Sequence, residues 1–179
     1  LCFGGIYGNS SWDQEVIMLD LDFLDAQFSQ IVGAADGSVS PADKLADAYD
    51  SYAHGGTIKG ALCTGGDKSL LIEAFTTDNT DLTVIKMALK ICEYWQSVPV
   101  IGIPAHGGSS VVSVVPTFTA YVSVVELTIR GMITSTLFEK PYKRFFGAIE
   151  TALKTVPITI TEMMPGSPPA PVTFVEYLL

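Results

Sequence analysis

The chain has 179 residues, of which 48% are hydrophobic and only 16% charged, and its mean hydropathy is +0.37. That length suits one domain with a substantial core, and the composition excludes intrinsic disorder over most of it, because disordered chains combine low hydrophobicity with high charge. Nineteen acidic against ten basic residues leave a net charge of −9, which excludes a nucleic-acid groove built on counterion release.

A soluble monomer of this size carries about 25% charged residues, so much of this surface is left uncharged and needs a cover. Sister subunits, lipid or a large ligand would serve. The charge is uneven, with thirteen acids and five bases in residues 1–90 but six and five in residues 91–179. The acidic half is expected to face solvent. Residues 94–125 form a run of 32 without Asp, Glu, Lys or Arg. Pro99, Pro104, Pro116, Gly102, Gly107 and Gly108 interrupt it, whereas a membrane-spanning helix needs about 20 predominantly apolar residues. The run therefore reads as loop and core. The first residues, Leu1-Cys2-Phe3-Gly4-Gly5, lack a basic segment followed by an apolar one, so no signal peptide is expected. Cys2, Cys63 and Cys92 are odd in number and lack CxxC or metal-like spacing. They read as reduced, small apolar residues, which favours a reducing compartment.

Taken in chain order, the first predicted helix runs over 11–32, with Ser11 and Gln14 in the positions of a capping box. Its apolar residues Ile17, Leu21, Leu24, Phe28 and Ile31 share one face. Ser40-Pro41 opens a second helix, with Ser as cap and Pro at the first helical position; Leu45, Tyr49 and Tyr52 recur at helical spacing until Gly55-Gly56. A short helix over 68–76 follows the glycine-rich 63–67 segment, and a longer one ends at Ser97, before Pro99. After the uncharged run, helices are predicted over 117–135 and from Pro141 to about Val156. Residues 98–103 and 110–115 are β-branched and could pair as a hairpin. Residues 158–161 alternate as a strand does, and 171–177 read as extended. Four prolines within 163–171 predict a polyproline-like linker. Residues 172–179 then form an apolar arm that needs a partner surface.

Motifs that carry chemistry are weak. Asp36-Gly37 with Asp43 resembles the second half of a calcium loop, but Val32 and Ala34 stand where the first and third ligands belong. Gly60 to Ser69 misses the phosphate-loop spacing, because Gly66-Asp67 delays Lys68. His106-Gly107-Gly108 could belong to an oxyanion loop, yet the chain has no GxSxG nucleophile elbow, so His106 is expected to satisfy loop backbone. Asp20, Asp22 and Asp25, like Asp43, Asp47 and Asp50, read as solvated acidic faces. Lys140, Lys143 and Arg144 form the one basic cluster, suited to an acidic face on a neighbouring subunit.

The resulting expectation is a mainly α fold of five or six bundled helices with a few short β segments, α+β being second choice. Residues 1–162 would form one helical domain, 163–171 a linker and 172–179 an arm. The expected function is that of a structural, self-associating subunit of a large homomeric assembly, most concretely a capsid or tail component of a virion, packing through 94–125 and 172–179. Its partners would be copies of itself and other structural subunits, without direct nucleic-acid contact and without catalytic residues, cofactor or metal. The alternative is a helical domain that binds a small molecule or lipid. An enzyme would have only Cys63, His106 and the aspartates to draw on, and a membrane-active protein ranks last.

Overall fold

Asp20 starts the first described helix, α1 (Leu21–Gly33), its carboxylate accepting the N–H groups of Asp22 and Phe23 at 3.0 and 2.9 Å. Those donors have no partner inside the helix, so an acceptor there fixes where it begins. The computed structural model describes residues 19–34, 40–58, 61–76, 81–99, 105–134 and 139–179; the helix predicted over 11–32 begins only at Leu21, because Asp20 caps it there, and the predicted cap Ser11 lies outside the described residues. Helix α2 (Pro41–Ala53) begins at the expected Ser40, whose Oγ accepts the Ala42 N–H at 3.3 Å. The two-residue strands β1 (Thr57–Ile58) and β2 (Ala61–Leu62) follow as a hairpin. Asp67 caps α3 (Lys68–Phe75), and α4 (Asp81–Ser97) completes the first half.

The second half opens with strand β3 (Ser110–Pro116). The helix predicted over 117–135 divides into a 3-10 turn at Phe118–Tyr121 and α5 (Val122–Ile133). Helix α6 (Pro141–Leu153) and strands β4 (Ile158–Met164) and β5 (Ala170–Glu176) end the chain. The fold is thus mainly α, with six α-helices among the described residues and one three-stranded antiparallel sheet in the order β3-β4-β5.

Aromatic side chains fill the helical layer. Phe28 of α1 meets Phe146 of α6 at 4.6 Å and Phe75 of α3 at 5.5 Å between ring centroids, while Tyr49 of α2 meets Phe146 at 5.4 Å. Such tilted and edge-on pairs add to the burial of the rings themselves. The polar tips are satisfied: Trp95 Nε1 donates to the Tyr49 hydroxyl at 3.1 Å, the Tyr52 hydroxyl to Glu150 at 2.6 Å and the Tyr94 hydroxyl to Asp50 at 2.5 Å. Burial pushes all three tyrosine hydroxyls well above their ordinary range.

A further sequence expectation is corrected here. Residues 163–171 are not a linker: Met163 pairs with Pro171 and Met164 with Ala170, so β4 and β5 form a hairpin around residues 165–169, with a cis Ser167–Pro168 peptide. The prolines are compatible with this because three lie in the turn and Pro171 is on an edge strand, where a missing N–H breaks no ladder bond. Strand β3 pairs with β4, Val114 opposite Ile160, and most of its expected partner segment 98–103 lies outside the described residues.

The end of the apolar arm finds a partner surface within its own chain. Leu178 is 1% exposed and packs where a Cβ on Gly56 would lie 3.3 Å from its Cδ1 and 3.4 Å from Trp95. Backbone bonds in both directions between Leu179 and Thr57, at 2.8 and 3.3 Å, hold it there. Truncating a fully buried leucine costs about 2–5 kcal/mol through lost burial and an unfilled cavity. Leu178→Ala is therefore expected to lower unfolding free energy by about 3 kcal/mol in urea titrations, whereas Leu179→Ala, at an exposed side chain, should change it by under about 1 kcal/mol.

Candidate functional site

Strand β4 alternates, and its inward positions are Ile158, Ile160 and Glu162, all buried. Glu162 thus stands where the pattern calls for an apolar side chain, and it is 0% exposed. An ionised carboxylate placed there needs donors, and the 105–109 loop supplies them. The backbone N–H groups of His106 and Gly108 donate to it at 2.8 and 3.2 Å, and His106 Nδ1 at 2.6 Å. His106 Nε2 reaches Glu176, which lies opposite Ile158 on the same sheet face. The imidazole also stacks on Phe174, with ring centroids 4.2 Å apart and planes 11° from parallel. Gly108 is required by close approach, since a Cβ there would fall 2.8 Å from the Met163 carbonyl oxygen and 2.9 Å from Glu162 Cβ.

Each ring nitrogen of His106 thus faces a carboxylate, Nδ1 that of Glu162 and Nε2 that of Glu176. Burial pushes the Glu162 carboxyl upward, but the His106 ring and the two backbone N–H groups outweigh it and hold it at about 2. With each nitrogen held against a carboxylate, the ring is occupied by its own chain. The neighbouring Ser109 hydroxyl donates to the Met163 carbonyl at 3.1 Å, away from any nucleophilic role. The expectation that His106 serves loop backbone is corrected: its ring clamps two carboxylates, and its own N–H joins the clamp. The sequence holds one signal for this cluster, an acid completing the alternation Ile158, Ile160, Glu162.

The opposite face of the sheet has the reverse character. Its cross-strand rows are Ser110–Met163–Pro171, Ser113–Thr161–Thr173 and Val115–Thr159–Val175, without a charge among them. Val175 is 53% exposed, and Val112, at the irregularity between Val111 and Ser113, is exposed as well. On α5, Val124 and Leu127 also face outward, Leu127 being 69% exposed.

The remaining candidates are dispersed. Cys63 and Cys92 are buried, with thiols pushed up by desolvation to about 11 and 12, so neither is a ready nucleophile. Cys2 and Asp36 lie outside the described residues. Asp47 pairs with Lys68 at 2.6 Å, Asp67 caps α3, and the Gly65 N–H donates to His54 Nε2 at 2.8 Å, so the glycine-rich segment is occupied by its own chain. In the basic cluster, Lys140 and Lys143 both reach Asp22, at 2.7 and 2.5 Å, and the Lys143 N–H donates to Asp25. These lysines hold the Asp22 carboxyl at about 2. An apolar cavity of about 380 Å³ lies among the helices, walled by Phe28, Phe75, Met87, Tyr142 and Phe146 among others. No described helix is long and apolar enough to cross a membrane.

The chain matches no family model, no curated protein and no solved structure.

Because the folded-state value of Glu162 lies below its ordinary one, its contribution to stability is complete above pH 4.5 and is lost as pH falls toward about 2. Glu162→Gln should therefore be less stable at pH 7 and should show a shallower loss between pH 4.5 and 2 in urea unfolding series. A parallel loss in both proteins would show that the clamp does not set this pH dependence.

Proposed function

We propose that this protein is a structural, self-associating subunit of a large homomeric assembly, most concretely a capsid or tail component of a virion, whose mechanism is packing. The observation that carries the reading is the charge-free outer face of the β3-β4-β5 sheet. An antiparallel sheet with one face in water ordinarily places polar, often charged residues outward. Here the two acids of β4 and β5 turn inward to His106, and Val, Thr and Ser rows remain outside. With a net charge of −9, copies of the chain repel one another, and they approach at least cost where no acid is presented. The outward Val124 and Leu127 of α5 add a second apolar surface, which an assembly larger than a two-fold dimer requires. The other structural subunits of such an assembly would be further partners.

A second reading, a helical domain that binds a small molecule or lipid, is favoured by the 380 Å³ cavity, a volume within the ordinary range of ligand sites. Native mass spectrometry of the purified chain separates the two, since a monomer carrying a bound small molecule supports only the second.

Light scattering behind size exclusion, at two concentrations, tests the first. The wild-type chain is expected to form oligomers that grow with concentration, and Val115→Lys with Val175→Lys to remain monomeric with an unfolding midpoint close to wild type. A wild-type chain that stays monomeric, or a double variant that assembles normally, overturns the proposal.

A further inference from the structure

We infer that the free edge of β5 pairs with β5 of a second copy, antiparallel across a two-fold axis, to give one continuous six-stranded sheet. The inference deepens the self-association reading and rests on it.

The two edges of the sheet differ. On β3, the register shifts between Val111 and Ser113, and Pro116 occupies one end. A bulge and a proline are the devices that blunt an edge, one by twisting the ladder away and the other by removing a donor. On β5, the corresponding device is confined to Pro171 at the start, and Val172–Glu176 runs in unbroken register with β4. Among the described elements only β4 borders this strand, so alternate N–H and C=O groups along its other side are unpaired by any described strand. An unpaired regular edge is a template for another strand.

The sequence of β5 suits a copy of itself. Centring the axis on Phe174 places Thr173 opposite Val175 of the partner subunit and Val172 opposite Glu176 of the partner subunit. Like faces stay together, the Thr173 and Val175 rows remaining on the charge-free side. The one acid of the strand meets a valine rather than another acid, and its carboxylate is already engaged by His106 Nε2. Shifting the register by one residue would turn inward-facing side chains outward, which opposes slippage.

The test is a disulfide trap in the full chain carrying Cys2→Ser, with Cys63 and Cys92 left buried. Thr173→Cys with Val175→Cys places cysteines at directly opposed positions, within the Cα separation a disulfide needs. Oxidation followed by non-reducing electrophoresis is expected to give a covalent dimer as the main product, and Val112→Cys on the blunted edge to remain monomeric. If the parent chain self-associates by light scattering but the double variant gives no dimer, or Val112→Cys crosslinks as readily, edge pairing is overturned while self-association stands. A parent chain that is monomeric at every concentration overturns both.

Discussion

A carboxylate with no solvent exposure must be paid for by donors, and Glu162 is the point on which the sheet depends. Placed among Ile158 and Ile160, its charge would cost several kcal/mol if left unpaired. Three donors from one short loop meet it, two of them backbone N–H groups. That requirement fixes the path of residues 105–109 over the sheet, excludes any Cβ at position 108, and orients the His106 ring so that its far nitrogen reaches Glu176. A single buried acid therefore organises the loop, β4 and β5 together.

The same arrangement separates the two faces of the sheet. Because both strand acids turn inward and meet His106 there, the outward rows are left with Val, Thr, Ser, Met and Pro. In a chain with almost two acids for every base, this is how an uncharged surface is made available. The low charged fraction thus acquires a location. Part of it lies on one sheet face and on the outward side of α5, while acids of the first half enter caps and ion pairs such as Asp20 with the start of α1 and Asp22 with Lys140 and Lys143.

Helices and sheet are joined mechanically by the end of the chain. Leu178 enters the helical core beside Trp95 and Gly56, and Leu179 exchanges backbone bonds with Thr57. The β5 strand is therefore anchored at one end to the helical layer and along its length to β4. An anchored strand with a regular free edge is better suited to joining copies than a loose arm would be, because less conformational freedom is lost on association.

Much of the helical layer was legible in the sequence. The cap Ser40, the stop at Gly55-Gly56 and the 3.6-residue spacing of Leu24 and Phe28 or of Tyr49 and Tyr52 act within a turn or two of chain, so local pattern determines them. Pro141 and the buried face of α6 belong with these. The β hairpin was not legible because prolines within 163–171 carry opposite meanings in a linker and in an edge strand with a turn, and only pairing across 12 or so residues decides between them. The role of His106 was illegible for the same kind of reason. Its partners are 56 and 70 residues away, and a histidine beside glycines says nothing about which carboxylates will converge on it. The sequence by itself determined the helices, the shortage of charge and the buried aromatic faces, since each follows from residue type and short-range spacing. Only the tertiary structure decided where the uncharged surface lies and what the acids do, since both depend on strand register, and register is set by contacts between residues far apart in the chain.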